Sequence, residues 1–159
     1  MEKCMNRIDQ GLADRIKAHM EEAAATVYGR EVSRRMVEGD SYVRDSKAEN
    51  VILNDWRYAY LYSREFIRGR WQAFEDAIAA ADPVNDPAVI RCVYNYVKNV
   101  RRGRMVAAEK HIANCATASV DYSFNILGMP WHASMEHGDV ANETISRHPT
   151  AANVYRIGM

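Results

Sequence analysis

His132, Glu136, His137 and Asp139 fall within eight residues of the stretch GMPWHASMEHGD, and all four are side chains that hold metals. A zinc centre needs at least three such ligands converging on one point. On a helix His132 and Glu136 share a face at i, i+4, but His137 points about 140° away. On an extended chain His137 and Asp139 share a side while His132 faces the other. Neither conformation gathers three ligands, and the fused HExxH and HxH patterns are absent. We therefore expect no metal here and no cofactor.

His111 and Cys115 form a second pair, four residues apart on an apolar stripe. A histidine beside a cysteine can generate a thiolate nucleophile. An apolar setting opposes this by raising the thiol pKa, and no oxyanion-type loop accompanies the pair. A small core residue beside a hydrogen-bonded histidine explains the spacing more simply. His19 reaches His111 only if two helices shift by about 16 Å. No GxGxxG, GKS/GKT or GxSxG occurs. We assign no catalytic residue and expect a non-enzymatic protein.

The remaining chemistry is basic and aromatic. RYAYLYSREFIRGRW (residues 57–71) carries four arginines against one glutamate, and KNVRRGR (residues 98–104) carries four unopposed positive charges. Interleaved arginines and aromatics suit single-stranded nucleic acid. Arg, Tyr and Trp are equally the residues enriched where proteins meet. We assign the interaction surface to Arg57, Tyr58, Tyr62, Arg64, Arg68, Arg70, Trp71, Tyr94, Tyr96, Arg101, Arg102 and Arg104, with Tyr60 among the aromatics expected on exposed faces.

These residues need elements to position them. Apolar residues recur at steps of three and four, as in Ile52, Trp56, Ala59, Ser63, Phe66 and Ile90, Val93, Val97, Val100, and no stretch alternates long enough for a strand. The spacing predicts an all-α fold of three long antiparallel helices, about 6–38, 47–81 and 87–127, packed as a bundle over residues 1–128. Gly29, Gly69 and Gly103 are the candidate break points. Residues 129–159 lack periodicity but contain Trp131, Ile145 and Tyr155, so an irregular tail docked on the bundle or a neighbour is expected. Asp86-Pro87 reads as an N-cap followed by proline at the first helical position.

A shift of 34 residues lays the second helix on the third. Tyr60 meets Tyr94, Tyr62 meets Tyr96, Arg68-Gly69-Arg70 meets Arg102-Gly103-Arg104, and Glu75 meets Glu109. The tetratricopeptide signature is missing and the first helix does not extend the series. In an antiparallel hairpin the two Arg-Gly-Arg steps lie nearly level. Four arginines there require anions, supplied by the chain's own carboxylates, by a partner, or by phosphate.

Lysine plus arginine equals aspartate plus glutamate at 21 each, which removes any global electrostatic case for nucleic acid or anionic membrane. Three widely spaced cysteines suit reduced thiols, and no apolar run suggests a signal peptide or membrane span. The expectation is a cytoplasmic interaction protein (assembly subunit, adaptor or inhibitor) that binds another protein or itself, with nucleic acid as the alternative partner and no membrane.

Overall fold

The computed structural model describes residues 46–158 and divides the chain into two units, Met1–Asn54 and Asp55–Met159. The helix expected over 6–38, with Gly29 and His19, lies outside the described residues. The first unit contributes one described helix, α1 (Ser46–Ile52).

The second unit is helical throughout its described residues, with no strand. The two long helices expected there are interrupted. In place of 47–81 and 87–127 stand α1, α2 (Trp56–Tyr62), α3 (Gln72–Ala80), α4 (Pro87–Tyr96), α5 (Val106–Ile112) and α6 (Ala116–Tyr122). The tail expected to be irregular forms α7 (Gly138–Ser146) and α8 (Pro149–Gly158). Among the described residues no helix is long and apolar enough to cross a membrane.

The interruptions follow one plan. Each of α2, α4 and α6 ends on a tyrosine and widens into a five-residue π turn: π1 (Ser63–Ile67), π2 (Val97–Arg101) and π3 (Ser123–Leu127). A left-handed residue then closes the turn: Arg68 at φ 54°, Arg102 at φ 57° and Gly128 at φ 65°. The Arg68 and Arg102 amides donate to the carbonyls of Ser63 and Val97, capping the wide turn. After the first two turns the chain runs extended into Trp71 and Met105, which stand as N-caps of α3 and α5. Gly69 and Gly103 thus lie at the breaks, but the arginines before them take the left-handed conformation.

Packing makes a two-layer array. Helix α2 packs on α4, α4 on α6 and α6 on α8, while α3 packs on α5 in the second layer and α7 against α6 and α8. The 34-residue similarity therefore marks a structural unit of helix, π turn, left-handed residue and helix. The π3 turn, with Trp131 after it, opens a third unit that the 34-residue shift hides, because Tyr122 follows Tyr96 by only 26 residues. The core between the layers is largely aromatic, with Tyr62, Trp71, Phe74 and Tyr96 in ring contact at centroid distances of 5.0–6.3 Å.

Local signals at the helix starts are simple. Asp86 caps α4 by accepting from the Ala88 amide at 2.8 Å, with Pro87 first in the helix as its sequence implies. Asp55 caps α2 in the same way at 3.0 Å.

Candidate functional site

Consecutive units are latched by a tyrosine hydroxyl that takes a backbone amide of the preceding unit, and at the first two junctions also meets an arginine-bound glutamate. In the first latch Glu75 accepts a two-pronged bond from Arg70 (Nε 2.8 Å, Nη2 2.7 Å) and a third from Arg101 at 2.7 Å. The Tyr96 hydroxyl, arriving from the next unit, donates to Glu75 at 3.0 Å and accepts from the Trp71 amide at 3.0 Å. The second latch repeats this one unit on. Arg104 forks onto Glu109 (2.6 and 3.1 Å), and the Tyr122 hydroxyl donates to Glu109 at 3.0 Å while accepting from the Met105 amide at 3.3 Å. In the third, Tyr155 accepts from the Trp131 amide and faces Asn142, whose amide donates to the Trp131 carbonyl. Asn142 thus stands where the earlier latches have a glutamate.

A carboxylate this buried needs hydrogen-bond donors around it: Glu75 accepts four bonds and Glu109 three. The Glu75 and Glu109 side chains expose 6% and 0% of their surface. Burial alone would push the Glu75 pKa up. The bonds from Arg70 and Tyr96 and the charge of Arg101 overcome it and hold the carboxyl below its ordinary value. Burial pushes the Tyr96 phenol up to about 12, and Tyr122 is raised further for the same reason.

The latches account for three of the arginines assigned to an interaction surface, Arg70, Arg101 and Arg104. Arg57 forks onto Asp55 at the start of α2. Arg64 reaches Glu65 at 2.6 Å and the Tyr60 hydroxyl at 3.1 Å. Of the arginines assigned at 57, 64 and 68, only Arg68 meets no carboxylate among the described residues.

The aromatics expected on exposed faces are in the core. Tyr58, Tyr60, Tyr62, Trp71, Tyr94 and Tyr96 are all at most 3% exposed. The stacking of α2 on α4 and α4 on α6 covers faces that an isolated three-helix bundle would leave open. They supply no surface for a partner.

What remains is a cleft between π1 and π2. Arg64, Arg68, Gly69, Asn99, Val100 and Arg102 line about 520 Å³ of space. The two Arg-Gly-Arg steps do come side by side, through the packing of π1 on π2. Arg68 and Arg102 are exposed, and neither guanidinium meets a carboxylate among the described residues. The Asn99 amide donates to the Tyr60 hydroxyl at 3.2 Å, tying the two walls together.

His111 and Cys115 do not share a helix. Helix α5 stops at Ile112, and Cys115 is the N-cap residue of α6. His111 is fully buried, with Nδ1 accepting from the Val84 amide at 3.2 Å and Nε2 donating to the Ile78 carbonyl at 2.8 Å. One ring nitrogen is spent on the end of α3 and the other on the chain connecting α3 to α4, which leaves no lone pair for a base. Burial holds this imidazole below its ordinary pKa, against the raising effect of the Ile78 carbonyl and with the Lys110 charge and His137 adding to the lowering.

Residues 132–138 form a compact turn in which the Met135 amide donates to the His132 carbonyl and the Gly138 amide to the Met135 carbonyl. His132 is occupied by Ser134 at 2.7 Å. Among the described residues no three histidine, cysteine or acidic side chains come together.

No protein-family model, curated protein or solved structure matches the chain.

The latch residues Glu75, Glu109, Tyr122, Asn142 and Tyr155, and the cleft residue Asn99, are absent from the surface assigned by sequence. An Arg-x4-Glu spacing, repeated at 70–75 and 104–109, was the available signal. It recurs at Arg44–Glu49 in the sequence.

Proposed function

We propose that the chain is a non-enzymatic binding protein, a helical-repeat scaffold that engages another macromolecule through the arginine-lined edge at its unit junctions. The observation that carries this reading is the division of labour among the arginines. Arg70, Arg101 and Arg104 are consumed by buried carboxylates, whereas Arg68 and Arg102 stand exposed on a backbone conformation that costs a non-glycine residue about 1–2 kcal/mol. Residues held in such conformations concentrate at sites of function. Tandem helical units that contact only their neighbours are suited to displaying a continuous edge to a partner.

Size-exclusion chromatography with light scattering and the 260/280 nm absorbance ratio tests the reading, followed by cross-linking in lysate of wild type and the R68G/R102G double variant. We expect a captured protein that the double variant loses. A strictly monomeric chain that captures nothing sinks the proposal. Nucleic acid is the second reading, supported by Lys98 beside the same cleft, where its ammonium lies over the Tyr94 ring at 5.8 Å. Co-purified nucleic acid and a steep salt dependence would favour it.

A further inference from the structure

Resting on that reading and sharpening it, we infer that the cleft between π1 and π2 is a site for a single phosphate monoester, carried on a phosphorylated side chain of a partner protein. Guanidiniums from two successive units, Arg68 and Arg102, line one cleft of about 520 Å³ with Asn99 and Gly69. Such a volume lies within the range of about 300–1,000 Å³ usual for small-ligand sites. Two planar forks available to one cleft match a tetrahedral dianion, which presents several oxygens, better than a carboxylate, which presents two in one plane.

Among the described residues, the carboxylates that meet the junction arginines are already committed. Glu75 and Glu109 are occupied by forked arginines and tyrosine hydroxyls, and Glu65 is paired with Arg64. Nothing in the fold requires arginine at the left-handed positions, since the equivalent residue at the third junction is Gly128. That glycine also limits the site to two rungs. A nucleic-acid backbone wants a longer row of cations, and the net charge of zero supplies no wider field. A compact dianion on a partner is what two rungs fit. Asn99, whose amide donates to Tyr60, adds a polar side chain to the lining of the same cleft.

The test uses the full chain and inorganic phosphate as probe, at constant ionic strength and pH 7.5, followed by the NMR signals of the arginine Nε–H groups. We expect saturable shifts at Arg68 and Arg102, and about tenfold weaker binding for each of R68G and R102G. Glycine suits the left-handed backbone, so these variants remain folded, as an unchanged or raised Tm would verify. A phosphoserine peptide that binds more tightly than inorganic phosphate, while its unphosphorylated form does not bind, places the phosphate on a partner protein. Three results overturn the inference. Phosphate that moves neither signal, or that binds the double variant equally well, removes the site. If a glutamate-rich peptide binds where phosphate does not, the phosphate assignment falls while the binding-protein reading stands. A single-stranded oligonucleotide bound more tightly than the phosphopeptide, with a salt slope above that of two contacts, replaces the partner with nucleic acid.

Discussion

The tyrosine hydroxyls do the connecting work between units. Tyr96 bridges a buried carboxylate and a buried backbone amide in one step. Tyr96→Phe keeps the ring but orphans the Trp71 amide, and an unsatisfied buried donor costs about 1–3 kcal/mol. Urea unfolding should show that loss, and an unchanged midpoint would mean the latch is decorative. Gly138 is required on different grounds: a Cβ there would lie 2.0 Å from the His132 carbonyl oxygen. Gly138→Ala should cost about 1–3 kcal/mol through forced backbone movement, read as a drop in Tm. By contrast a Cβ at Gly103 meets nothing within 4 Å, and Gly103→Ala should leave stability equal or slightly higher.

Titration adds a pH signature at the same scale. His111 is held below its ordinary value of 6.5 by burial, so the unfolded chain binds its proton first and the stability it contributes, present above about pH 6.5, is lost as pH falls. Glu75 is held below 4.5, so its contribution is present above that pH and is lost as pH falls further. Urea midpoints should therefore decline in two stages between pH 8 and 3. His111→Gln should remove the first stage alone; a decline beginning only below pH 4.5 in the wild type would show His111 has no part in it.

Helices were legible in the sequence, but their ends were not. The apolar steps from Trp56 through Phe66 to Phe74 keep intervals of three and four in the sequence although the chain leaves the helix between Ile67 and Gln72, so the pattern carries no mark of the break. Glycine drew attention to the correct neighbourhood one residue late, because Arg68 and Arg102 take the left-handed backbone themselves. Arg68→Gly and Arg102→Gly should each stabilise the protein by about 1 kcal/mol, measurable as raised urea midpoints. Lower midpoints would show that those side chains hold the turn. The tail was misread for a related reason: α7 and α8 bury few side chains, chiefly Ala141, Ile145 and Ala151, so their helical stripe is too thin to see.

At the scale of the molecule, the misplaced aromatics carry the lesson. Tyr58, Tyr60 and Tyr62 lie on several faces of α2, and the periodicity of one helix cannot distinguish a face open to solvent from one covered by the next unit. The level pairing of the Arg-Gly-Arg steps was legible because it depends only on similar arm lengths about the α3–α4 connection. Units that touch mainly their neighbours also differ in local stability. The last latch replaces glutamate and arginine with the neutral Asn142, and α8 buries only Ala151. Amide exchange should therefore be fastest in α8 and slowest around Tyr96 and Trp71. Uniform protection across the second unit would argue for a single cooperative block.

The left-handed residue at each junction separates two kinds of inheritance. Latch positions tolerate little, because each buried polar group there is satisfied by the others. The junction position is indifferent to all but backbone cost, so a lineage can rewrite what the edge presents without rebuilding the array. Gly128 and its two arginine counterparts show both spellings in one chain, and Gly128→Arg would add a rung for about 1–2 kcal/mol of stability. The array thus works as a register whose characters are replaceable while its frame of turns is kept.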